Sequence, residues 1–95
     1  MSEDFSRVFN DFFDKLQTMK KKSASMSLDY KTYQAMTKET LLLEQEGTKK
    51  LTELLHAARA KQSYALANQI EEVIRKWQQE IDEFRKYLKR KSPSA

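Results

Sequence analysis

Apolar residues recur at helical spacing almost from the start of this chain. Phe5, Phe9, Phe12, Leu16 and Met19 step 4-3-4-3, and Val8 and Phe13 widen that seam to a stripe. The pattern predicts a first helix over residues 3–19, with Ser2 as its N-cap. Residues 20–29, KKKSASMSLD, are polar, serine-rich and aperiodic, and read as the clearest break. Asp29 or Ser27 can cap the next helix.

That second helix is predicted over residues 29–60. Its stripe runs through Tyr30, Tyr33, Leu41, Thr48, Leu51, Leu55 and Ala58, with Met36 and Leu43 on a flanking row. The stripe weakens at EQEGTKK, which holds the only glycine, Gly47. One continuous helix through this point is favoured over a joint with Gly47 as a C-terminal cap. A continuous helix further predicts that Gly47→Ala is stabilising, because glycine costs about 1 kcal/mol inside a helix.

Ser63 can cap a third helix over residues 63–91. Leu66, Ile70, Val73, Trp77, Ile81, Phe84 and Leu88 step 4-3-4-4-3-4, the near-eleven-residue repeat of a straight or slightly right-handed helix. Glu71–Arg75, Glu72–Lys76 and Asp82–Lys86 are acid-before-base pairs on its outer face. Pro93 closes the pattern, and residues 92–95 read as a disordered tail. At 1.5 Å per residue the helices extend about 25, 45 and 40 Å. The expected architecture is a single all-α domain, residues 1–91. It is a three-helix bundle-like protein: a long antiparallel hairpin plus a shorter N-terminal helix covering only part of it.

Composition agrees with this picture and narrows the chemistry. The chain has 95 residues, one Gly, one Pro, no Cys and 34% charged residues. Without cysteine there is no disulfide, thiolate metal site or cysteine nucleophile. No apolar run approaches a membrane span, and the acidic N-terminus lacks a secretory pattern, so the expected location is cytoplasmic. Net charge is +4. Residues 1–83 carry 13 basic and 14 acidic groups, whereas Arg85, Lys86, Lys89, Arg90 and Lys91 come after them with no acid in between. The positive excess is therefore a C-terminal feature.

No catalytic set assembles from these residues. Glu53 and His56 form the Glu-x-x-His unit that carboxylate-bridged di-iron bundles use, since i,i+3 spacing puts both ligands on one face. Such sites need a second copy on another helix, and His56 is the sole histidine. Neither an enzyme, a cofactor nor a metal is expected. The L-x-x-L-L box from Leu51 to Leu55 resembles a groove-docking helix, but its leucines also belong to the core stripe.

Two stretches look like known families. Residues 51–74, through Leu51, Leu55, Ala58, Tyr64, Ala67, Ile70, Ile74 and Glu72, resemble the helical hairpin of the UVR motif, which implies protein docking. Glu71 stands where that family has an arginine. Residues 30–44, YKTYQAMTKETLLLE, are similar to the second helix of small type III secretion needle chaperones.

The expected function is protein–protein interaction, as adaptor, chaperone or assembly subunit, with a hetero-partner or a second copy of the chain. The interaction residues expected are Phe5, Phe9, Phe12, Trp77, Ile81 and Phe84, because large aromatic loads must be buried within the monomer or against another chain. The alternative is a weak nucleic-acid or anionic-surface binder acting through Arg85, Lys86, Lys89, Arg90 and Lys91.

Overall fold

The structure is a computed structural model that describes residues 4–25 and 29–91. Its elements are α1 (Phe5–Ser25), α2 (Tyr30–Ala60) and α3 (Tyr64–Lys91), with no strand among the described residues. Together they form a rod of 50 × 22 × 15 Å.

Each helix end has a chemical cause. The Asp4 carboxylate accepts from the Ser6 amide at 3.0 Å and caps α1. The predicted cap Ser2, with Glu3, lies outside the described residues. α1 also runs through Lys20–Ser25, where a break was expected. Ser23 and Ser25 do not compete with the helix: their hydroxyls donate to the carbonyls of Lys20 and Lys22, inside the same turn. Asp29 caps α2, its carboxylate accepting from the Thr32 amide at 2.7 Å. That bond holds the exposed Asp29 carboxyl below its usual range.

α2 ends in a Schellman turn. Gln62 takes the left-handed conformation at φ 58°, its amide donates to Arg59, and the Ser63 amide donates to Ala58 at 2.9 Å. The residue found at such a position is usually glycine. The one glycine of this chain is elsewhere, inside α2, which runs unbroken through Gly47.

Register is fixed by pairs across the bundle. Arg59–Glu71 and Glu44–Arg85 tie α2 antiparallel to α3. By that register Lys91 lies near Lys38, so the first two turns of α2 extend past the end of α3. Phe5 packs on Leu55, Ala58, Ala67 and Ile70, Phe12 on Trp77, and Lys20 pairs with Glu80 at 3.3 Å. α1 therefore runs parallel to α3 and covers it from Ile70 to the level of Tyr87. α1, with 21 residues against 31 and 28, is the shorter N-terminal helix expected, although it continues about two turns beyond its apolar stripe. The first turn of α2, at Tyr30, stays exposed, while Tyr33 and Met36 already pack on the core.

The core lies between the three helices. Leu16, Leu51, Ile70, Trp77, Ile81, Phe84 and Leu88 are fully enclosed. On α2 the inward row is Met36, Thr40, Leu43, Gly47, Leu51, Leu55 and Ala58. Tyr30 and Leu41, assigned to the stripe from spacing, are 66% and 44% exposed: Tyr30 lies beyond the end of α3, and Leu41 is off the inward row of Met36, Thr40 and Leu43. Leu66 is likewise 40% exposed, and Ala67 takes the inward place on α3. Outer ion pairs also differ from expectation. Glu72 meets Arg75 and Asp82 meets Arg85 at i,i+3, while Glu71 reaches across the hairpin to Arg59.

Candidate functional site

The six expected interaction residues gather along one seam, where α1 meets the hairpin. Trp77, Ile81 and Phe84 are wholly inside it. The Trp77 indole meets Phe9 edge-on at 6.4 Å and Phe12 at 6.0 Å, tilted by 58°. Its opposite side lies on Gly47, and Nε1 points at the Glu44 carbonyl 3.5 Å away. Phe5, Phe9 and Phe12 are half-buried on the α1 side of the same seam. These residues join α1 to α2 and α3. In the closed bundle Trp77, Ile81 and Phe84 offer no surface to another chain, because α1 already supplies the aromatic partners that spacing alone left open.

The exposed apolar surface is elsewhere. Leu42 is 56% exposed beside Leu41 and Tyr30, all on the first half of α2. Tyr33, Ala35, Thr37 and Leu41 line a shallow hollow of about 550 Å³ on this helix. Leucine spacing could not locate it, since Leu41, Leu42 and Leu43 are consecutive and only the packing of α3 decides that Leu43 turns inward.

Glu53 and His56 share a face of α2 as their i,i+3 spacing requires, but that face is exposed. Among the described residues no group of three or more His, Asp or Glu side chains could hold a metal ion. Among the described residues the buried positions hold valine, leucine, isoleucine, phenylalanine, tryptophan, methionine, alanine, glycine, serine and threonine, and no carboxylate or imidazole.

The basic residues of α3 form its last two turns. Arg85 pairs with Glu44 and Asp82, and Lys91 sits over the Tyr87 ring at 5.2 Å. Lys91 beside the phenol holds Tyr87 below its ordinary range. Lys86, Lys89 and Arg90 are exposed. No helix among the described residues is long and apolar enough to cross a membrane.

No curated protein and no solved structure matches this chain. A family model described as ferritin-like domain matches residues 9–92, a span that takes in nearly all of α1 and the whole of α2 and α3. The all-helical bundle agrees with that match, and the chain belongs to the ferritin-like domain family.

Proposed function

We propose that this chain is a non-enzymatic member of its family that works by binding another protein. Proteins with ferritin-like domains are often iron-binding enzymes or iron stores. Their di-metal sites are built from carboxylates and Glu-x-x-His units projecting into the bundle from facing helices. The residues of this chain do not fit such a group. Its one Glu-x-x-His unit is on the outside, and the Trp77 indole fills the space between the helices where inward donors would be needed.

The observation that carries the binding role is the apolar surface on α2. Leu41 and Leu42 stand in water while smaller residues such as Ala58 and Ala67 are enclosed. Large exposed leucines together on the outer face of a helix are what a docking partner covers. The partner that suits this surface is another amphipathic helix, contributed by a second copy or by a different chain.

The experiment compares the wild type with Leu41→Ser/Leu42→Ser by light scattering over a concentration series, with binding of a hydrophobic dye alongside. Concentration-dependent association that the double variant abolishes supports the reading. A monomer at every concentration, with dye binding unchanged by the substitutions, overturns it. A parallel titration with ferrous iron and zinc is expected to show no stoichiometric uptake and no rise in melting temperature. Uptake with stabilisation would overturn the non-metal assignment.

A further inference from the structure

Two basic stretches lie far apart in the chain and close together in the fold. Lys20, Lys21 and Lys22 end α1, and Arg85, Lys86, Lys89, Arg90 and Lys91 end α3. Because α1 and α3 are parallel, both stretches reach the same end of the rod. Lys20 pairs with Glu80 and shares a hollow with Glu83, Phe84 and Tyr87, and Ser23 lies beside the Tyr87 phenol. α2 starts at this end too, with Lys31 in its first turn.

The charge divides sharply. At this end, residues 20–25, 29–46 and 84–91 contribute ten cations, three from α1, two from α2 and five from α3, against the acids Asp29, Glu39, Glu44 and Glu46. That is a net of +6, which leaves −2 for the rest of a chain whose total is +4. Helix dipoles do not account for it. Two C-termini and one N-terminus amount to about −0.5 charge at this end, far less than its net positive charge offsets. Nor are the cations consumed locally. Lys21, Lys22, Lys31, Lys86 and Arg90 are exposed and make no ion pair among the described residues.

We infer that this end of the bundle is a binding site for the phosphodiester backbone of nucleic acid, built jointly by the C-termini of α1 and α3. Clustered lysine and arginine on one face are the footprint of such sites. A membrane surface is the lesser fit, because interfacial elements set a basic face against inserted Trp, Phe or Leu. Here the large apolar residues exposed near this end are Tyr30 at the tip and Leu41 and Leu42 about 16 Å back along α2, too few for such a face, whereas Leu66 and Tyr64 lie at the opposite end. An exposed tyrosine among cations suits stacking on an unpaired base. Recognition through phosphates carries no sequence preference.

The test is fluorescence anisotropy of the full chain with a mixed-sequence single strand of about 30 nucleotides, across a salt series, where four to five phosphate contacts give a slope near −3 in log K against log salt. Lys21→Glu/Lys22→Glu and Lys86→Glu/Arg90→Glu are each expected to weaken binding about tenfold at ~50 mM salt and to flatten that slope. Lys49→Glu, mid-way along α2, is expected to change neither. Circular dichroism confirms that each variant remains helical. Absence of binding at low salt overturns the inference. So does loss of binding in the α3 variant alone, since the site would then be one helix tail. Binding to anionic phosphatidylserine vesicles, with none to the oligonucleotide, would assign the end to a membrane and overturn it likewise.

Discussion

Gly47 is the floor on which the Trp77 indole lies: a Cβ built at Gly47 would meet Cε2, Cζ2 and Nε1 of the ring at 2.8 Å. The ring cannot retreat, because it is fully enclosed and held from the other side by Phe9 and Phe12. Glycine stands here for space, since its φ is that of the surrounding helix.

Gly47→Ala is therefore expected to destabilise the protein. The gain in helix propensity is about 1 kcal/mol. Forcing a methyl group into a close-packed site costs about 1–3 kcal/mol, so packing wins. Chemical denaturation measures the sign. The expectation from sequence, a stabilising alanine in a continuous helix, is overturned although the helix is continuous. In a Trp77→Leu background the same substitution should turn neutral or favourable, and the difference between the two backgrounds reports the contact.

Gln62→Gly acts at the complementary place. Gln62 holds a left-handed conformation that costs an L-residue about 1–2 kcal/mol. The Schellman bonds around it use only backbone atoms, so glycine preserves them. A gain approaching 1 kcal/mol in the unfolding free energy is expected, reduced from the full strain by glycine's greater freedom when unfolded. An unchanged or lower denaturation midpoint would contradict it.

Thr48 carries a buried hydroxyl with no hydrogen-bond partner. Thr40 and Thr37, on the same helix, donate to the carbonyls of Met36 and Tyr33. A buried unsatisfied polar group costs about 1–3 kcal/mol. Thr48→Val keeps the shape and removes the hydroxyl, and thermal melting should show a rise in midpoint. Thr40→Val, which deletes a satisfied hydroxyl, should not.

Acid should loosen the start of α2 through Asp29. Its carboxyl is held below the ordinary value of 3.8 by the Thr32 amide and hydroxyl. The folded pKa is the lower one, so the cap's contribution is complete above the unfolded value and disappears as pH falls through the folded one. The protection of the Thr32 amide against hydrogen exchange, relative to the unstructured rate at the same pH, should fall in that acid range. Asp29→Asn, which caps without a charge, should remove this pH dependence.

Much of the fold is legible in the sequence because helices announce themselves by period. The third helix is the clearest case: from Ile70 to Leu88 every stripe position but Val73 is fully enclosed. Contacts between helices are less legible, for a physical reason. Period identifies an apolar face but not its partner, so the seam of Phe9, Phe12 and Trp77 reads only as surface in need of cover. The cover is α1 itself. The sign at Gly47 is hidden for the same reason, since local propensity says nothing about a side chain thirty residues away. The basic end is half visible: the α3 cluster stands out in the sequence, but the α1 lysines look like a loop until helix direction places them beside it.

The parallel course of α1 and α3 also orders the assembly of the chain. Arg59–Glu71 joins residues 12 apart, and Glu44–Arg85 joins residues 41 apart. Lys20–Glu80 spans 60. Closing the α2–α3 hairpin begins at the Gln62 turn and proceeds outward by short steps, whereas α1 has to return across the whole length of α2. Loop closure grows costlier with separation, so the α2–α3 hairpin is expected to zip before α1 docks on α3, an order that Trp77 fluorescence during rapid refolding checks. Until α1 docks, the indole of Trp77 faces water, and its fluorescence becomes a clock for the final step of folding.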